Sequence, residues 1–227
     1  MQDVNTCPSL STFSNVAIRT IHSYFIKSAS NITESIPSQY TEVAILGRSN
    51  VGKSSFINKI LNAKLAKSSS TPGKTRLINF FQTIWEIEHK DAHSQQINRY
   101  RFPLVIIDFP GFGYAKVDKK QKQQWDKSLT EFLHLRNNIK LFCHLIDSRH
   151  RNLLIDREIR CFLESIHTDR ECQILEIYTK SDKLPKNMLR NLQAQAKLDC
   201  SITQYNTKDL QKIYYAIATK SLGKHSL

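Results

Sequence analysis

The chain has 227 residues, 40% of them hydrophobic and 23% charged, a mix that suits one globular domain with a full core and excludes a largely disordered chain. No apolar run reaches the roughly 18 residues of a membrane helix, no basic cluster opens an apolar stretch at the N-terminus, and the five cysteines form no CxxC pair. A helical membrane protein, a secreted disulfide scaffold and a zinc ribbon are thereby excluded, and a cytoplasmic protein with reduced thiols is expected.

In chain order, residues 1–38 are rich in Ser, Thr and Asn, with only a weak apolar pattern at Val16, Ile18, Ile21 and Phe25. They are expected to form a partly ordered N-terminal extension before a main domain over 39–227. An apolar run predicts a strand over 42–46, and amphipathic spacing predicts a helix over 53–61. A strand over 78–88 alternates and ends in polar residues, which assigns it to a sheet edge; the polar stretch 88–101 reads as a surface insertion. Near-continuous apolar runs predict buried strands over 104–108, 140–146 and 174–178, and a short strand over 201–203. Helical patterns fall between them, over 119–135, 155–166, 187–198 and 207–222. Strands alternating with helices make an α/β domain built on a parallel sheet.

The net charge of +13 is uneven: segments 59–76, 116–127 and 183–197 carry +5, +3 and +4. Clusters of this kind point to a polyanionic partner, of which nucleic acid is the commonest.

Gly47-Arg48-Ser49-Asn50-Val51-Gly52-Lys53-Ser54 fits G-x-x-x-x-G-K-[ST], and it follows an apolar strand and opens a helix. Its glycines permit turns that aim successive N–H groups at β- and γ-phosphate oxygens. Lys53 adds a positive charge between those phosphates, Ser54 offers a hydroxyl to Mg²⁺, and the helix directs its positive end at the same anion. Asp108-Phe109-Pro110-Gly111 ends another apolar strand, where the aspartate can hold Mg²⁺ through water and the Gly111 N–H can meet the γ-phosphate. Thr179-Lys180-Ser181-Asp182 follows the strand over 174–178. A carboxylate there matches the N1–H and 2-amino donors of guanine, with the lysine stem over the base, whereas adenine would leave it unpaired. The Ser-rich run 68–75 lies where a switch would reach the γ-phosphate. By its chemistry, either Thr71 or Thr75 could add a hydroxyl to Mg²⁺ while that phosphate is present.

Taken together, GRSNVGKSS, TPGKT followed by Asn79-Phe80-Phe81, DFPGFGYAKV, Asp147-x-Arg149-His150 and TKSD resemble the EngB (YihA/YsxC) family of bacterial translation-factor-related GTPases, from about Phe25 onward. The resemblance implies a P-loop NTPase fold of the Ras-like G-domain type, with a six-stranded, mostly parallel sheet flanked by helices and an antiparallel edge strand. It implies hydrolysis of GTP to GDP and phosphate, late assembly of the large ribosomal subunit with ribosomal RNA and subunit precursors as partners, and a requirement in cell division and septation. It assigns nucleotide contacts to Gly47 through Ser54, to Gly73, Lys74, Thr75, Arg76 and Leu77, to Asp108 through Gly111, and to Thr179 through Asp182. Lys53, Thr75 and Gly111 become catalytic, and Mg²⁺ falls on Ser54 and Thr75. A last contact beside the base falls near Thr203-Gln204-Tyr205, where this sequence lacks the family's usual serines. Asn50 resembles the asparagine by which related GTPases hold K⁺; the other reading is a loop-stabilising side chain.

Phe112 stands where some GTPases carry a water-orienting Gln, and no arginine finger, a device worth about 10³–10⁵ in rate, is identifiable. Slow intrinsic hydrolysis by a monomer that avoids membranes is expected, with acceleration on a partner. The other classes are an RNA-binding module that binds GTP without useful hydrolysis and an ATP-dependent small-molecule kinase, the latter disfavoured by TKSD.

Overall fold

The computed structural model describes residues 15–67, 77–91, 96–113, 119–168, 172–198, 202–203 and 207–222. Its elements are β1 (Val16–Ala29), β2 (Thr41–Gly47), α1 (Lys53–Ile60), β3 (Ile78–Lys90), β4 (Ile97–Asp108), α2 (Lys119–Leu135), β5 (Ile139–Asp147), α3 (Leu154–Thr168), β6 (Gln173–Thr179), α4 (Lys186–Leu198), β7 (Ile202–Thr203) and α5 (Thr207–Leu222). The strands form one sheet in the order β1-β3-β4-β2-β5-β6-β7. Pairing is parallel from β4 through β2, β5 and β6 to β7, and antiparallel for β3 with β4 and β1 with β3.

Central strands read as unbroken apolar runs because both faces of the sheet are covered. On one face, Phe56, Ile57 and Ile60 of α1 and Ile213, Tyr214 and Ile217 of α5 close over Ile45, Trp85, Ile106 and Leu145. On the other, Phe132 and Leu133 of α2 and Ile159 and Leu163 of α3 close over Leu46, Phe80, Ile107 and Phe142. Strands β2 to β7 form a six-stranded, mostly parallel sheet with helices on both sides, the architecture that the resemblance implies.

Three sequence expectations change. Within the stretch 1–38, residues 16–29 are a 14-residue strand that joins the sheet, pairing with β3 from Val16 opposite His89 to Ala29 opposite Ile78. The apolar pattern is weak because two core-facing positions are polar: Thr20 Oγ1 donates to Ile60 O (2.7 Å) and Ser23 Oγ to Leu61 O (2.8 Å), satisfying carbonyls at the end of α1. Register shifts between Thr20 and His22 and between Phe25 and Lys27 further break the period of two. Consequently β3 is not the edge strand; β1 is. The stretch 88–101 is also not an insertion of loop, since 88–90 and 97–101 are the outer arms of the β3–β4 hairpin. Those arms are polar because ion pairs bind them across strands: Arg99 to Glu88 at 3.0 Å, and Arg101 and Arg19 on the two oxygens of Glu86 at 2.7 and 2.6 Å.

One buried ion pair fastens the segment before β2. Arg136, just past α2, reaches Glu42 at 2.6 Å, stacks on Phe80 and Phe132, and donates to Ile36 O (2.6 Å) and Ser35 Oγ (2.9 Å).

Candidate guanine-nucleotide site

Three loops leave the C-terminal ends of β2, β4 and β6 and meet on one side of the sheet, the crevice where open α/β sheets bind ligands. The loop 47–54 runs from β2 into α1. Gly52 precedes the helix at φ 108°, a left-handed conformation a side chain would strain, and no acidic residue sits in the first turn of α1. The N–H groups of that turn are therefore offered to an anion without an acidic side chain of the same turn competing for them. Lys53 lies 4.0 Å from Asp108 at the end of β4. Ser54 Oγ donates to Lys67 O at 3.3 Å.

The loop after β4 is bolted to the first. Ser49 N donates to Phe112 O at 2.9 Å, Phe112 N to Gly47 O at 3.2 Å, and Ser49 Oγ to Phe112 O at 3.1 Å. Gly111 has to be glycine for this approach, because a Cβ would stand 2.9 Å from Ser49 Cα and 3.0 Å from Ser49 N. Phe109 and Val51 turn into the core, and Pro110 is buried. Only their backbones remain for a ligand.

The third loop carries Thr179-Lys180-Ser181-Asp182, the last two within a short 3₁₀ turn. Thr179 Oγ1 donates to Val51 O (2.7 Å), and Lys180 Nζ donates to Asn50 O, so this loop is tied to the first. Ser181 is buried, while the Asp182 carboxylate is half-exposed and pairs with Lys183 at 3.2 Å. Asn50 is exposed and adopts φ 61°.

The structure thus gathers residues 47–54, 108–111 and 179–182. Leu77 is exposed just before β3, and Thr203 ends β7 beside Tyr178 of β6. Gly73, Lys74, Thr75, Arg76, Gln204 and Tyr205 lie outside the described residues, as does Thr71. The Arg48 guanidinium lies 3.4 Å from Asp147 and 3.7 Å from Asp156. Asp147 itself carried no assigned role. Its signal was an acidic residue closing an otherwise apolar strand, where a buried charge needs partners.

For the phosphates, backbone donors, a lysine and a helix N-terminus fit. For Mg²⁺, a hard cation that takes oxygen ligands, Asp108 and Ser54 supply oxygen donors. Asp108 Oδ1 is buried without a hydrogen-bond partner, and burial pushes its carboxyl above the ordinary range against the pull of Lys53 and Asn79. A cation there would relieve both.

A family model described as a 50S ribosome-binding GTPase matches residues 42–180. The chain is 50% identical over 175 residues to the probable GTP-binding protein EngB of Helicobacter hepaticus, covering 77% of this chain and 74% of that one. Against the Campylobacter lari protein of the same name, identity is 46% over 205 residues, covering 89% and 97%. A crystal structure of a probable GTP-binding protein EngB has the same fold, with a TM-score of 0.51 at 21% identity over 78% of this chain and 98% of that one.

Proposed function

Since the chain belongs to the EngB family of GTP-binding proteins, a family of GTPases, we propose that it serves as a guanine-nucleotide switch in late assembly of the large ribosomal subunit. In this reading it acts in the cytoplasm as a monomer, hydrolyses GTP slowly, and is required for normal cell division and septation. The observation that carries the nucleotide part is the joining of three loops. The loop 47–54 is hydrogen-bonded on one side to the loop holding Asp108 and Gly111, and on the other to the loop holding Lys180 and Asp182. The ribosomal part is supported by the matching family's description and by the clustered positive charge, of which 183–197 overlaps α4 with Lys186 and Arg190 exposed. Among the described residues, no helix is long and apolar enough to cross a membrane.

Each residue's task follows from its chemistry. Lys53 and the N–H groups of 47–54 hold the β- and γ-phosphates and offset the charge that develops as the γ-phosphoryl departs. Ser54 and Thr75 would hold Mg²⁺, which when bound neutralises phosphate oxygens. Gly111 offers its N–H to the γ-phosphate. Asp182 reads the N1–H and 2-amino edge of guanine, Lys180 covers the base, and Asn50 is the candidate K⁺ ligand. Thr75 with Gly73, Lys74, Arg76 and Leu77 forms the switch that senses the γ-phosphate, and Thr203 to Tyr205 border the base. Phe112 packs on the core formed with α2 and α3 and has no group to orient water, which supports slow hydrolysis.

Competition between GTP and ATP for the purified protein is the test. Displacement of bound GDP by GTP and not by ATP is expected; equal displacement would replace this reading with that of an ATP-dependent kinase.

A further inference from the structure

We propose that Asp147 is a positioning residue for guanine-nucleotide binding: buried at the end of β5, it locks the phosphate-side loop to the base-side loop through Arg48, Lys180 and Arg149. The inference rests on the nucleotide reading above and extends it to a residue that makes no contact with the ligand itself.

The carboxylate has 1% of its side chain exposed and faces three cations from three different segments. Lys180 Nζ, from the TKSD loop, donates to Oδ2 at 3.0 Å. Arg149 clasps both oxygens, with Nε to Oδ1 at 3.0 Å and Nη2 to Oδ2 at 2.8 Å, while its backbone N–H donates to Oδ1 at 3.1 Å. Arg48, from the loop 47–54, stands 3.4 Å from Oδ2. Burial opposes the charge, yet the Arg149 and Lys180 hydrogen bonds hold this carboxyl well below the usual range, so it stays ionised.

The consequences are directional. Lys180 Nζ is held between Asp147 and the carbonyl of Asn50, which fixes the lysine stem along the path where a base would lie. Arg48 stands at ion-pair distance from Asp147 and from Asp156 of α3, at 3.4 and 3.7 Å, which draws its side chain toward β5 and α3. Removing the carboxylate takes from Arg149 its bidentate partner and leaves Lys180 with the Asn50 carbonyl and Arg48 with Asp156. A Lys180 held at one point instead of two would have to be ordered further by the ligand, which lowers affinity.

The test is a double-mutant cycle on GDP and GTP affinity with Asp147→Asn and Lys180→Met, measured alongside the unfolding midpoint of each variant without nucleotide. Asp147→Asn is expected to weaken both nucleotides by roughly tenfold or more, since a charged hydrogen bond is lost. The double variant should lose clearly less than the product of the single losses, because the two residues act as a unit. Multiplicative losses overturn the proposal, as does an Asp147→Asn protein with wild-type affinity. If Asp147→Asn does not fold, the same cycle with Arg48→Ala and Lys180→Met decides. Coupling between these two supports a shared hold by Asp147, and independence overturns it. A wild-type protein that binds no guanine nucleotide sinks both readings, whereas wild-type binding with no effect at Asp147 sinks this one alone.

Discussion

Replacing Gly111 with alanine tests the seam between the first two loops. The added Cβ would stand 2.9 Å from both Cα and Oγ of Ser49 and 3.0 Å from its amide nitrogen. The side-chain oxygen can swing away, but backbone atoms cannot, so the two loops have to part by several tenths of an ångström. Overpacking of this kind costs about 1–3 kcal/mol. The Ser49 N to Phe112 O and Phe112 N to Gly47 O bonds, at 2.9 and 3.2 Å, lie on either side of the contact and would be stretched, at about 0.5–1.5 kcal/mol each. A loss of about 2–4 kcal/mol is expected, equivalent to a fall in unfolding midpoint of roughly 4–16 °C for a chain of this size. Thermal denaturation without nucleotide measures it. A Gly111→Ala protein as stable as wild type would refute the claim that backbone proximity joins these loops.

Asp182→Asn should lower GTP affinity by roughly ten- to a hundredfold and raise affinity for xanthosine triphosphate by a comparable factor, because the amide donor suits the xanthine carbonyl; titration of both nucleotides against both proteins checks it. Arg136→Ala leaves Glu42 buried and unpaired, with an expected loss of about 3–5 kcal/mol in chemical denaturation. Burial, only partly offset by Arg136, raises the Glu42 pKa in the folded protein, so the folded form holds more protons between the unfolded and folded values. Stability from this group therefore falls as pH rises through that window, and without Arg136 the window widens upward; the variant's deficit should be smaller at pH 5 than at pH 7.5. Co-sedimentation with large-subunit particles should weaken steeply with salt and be stronger with GTP than with GDP; binding indifferent to both would remove ribosomal RNA as the partner.

Most of the sheet was legible because β2 and β5 are buried on both faces and advertise it as apolar runs such as Val43 to Leu46. The loop 47–54 was legible because its chemistry dictates both residue type and spacing. What escaped depends on contacts between distant segments. Thr20 and Ser23 look like loop residues until the carbonyls they serve at the end of α1 are in place. Arg99 and Arg101 read as solvated until Glu88 and Glu86 stand across the hairpin. The partners of Arg48 are the clearest case: two buried carboxylates, from β5 and α3, stand 3.4 and 3.7 Å from its guanidinium, and both lie far from it in sequence.

The anchoring of β1 has a consequence for how the chain matures during synthesis. Ile18 exchanges two hydrogen bonds with the Gln211 side chain, at 3.1 and 3.0 Å, and Thr20 Oγ1 lies 3.1 Å from Tyr214 Oη, across 193 and 194 residues of sequence. During synthesis β1 therefore meets these partners only when α5 has followed. Until then, Trp85, which packs edge-on against Tyr214 with ring centroids 4.7 Å apart, lacks its neighbour from the C-terminal helix. Closing so long a loop is slow, and the partly built sheet offers apolar surface in the meantime. Premature termination before α5 should thus yield a chain prone to aggregation, even though every nucleotide-site segment described above, through Asp182, has already been made.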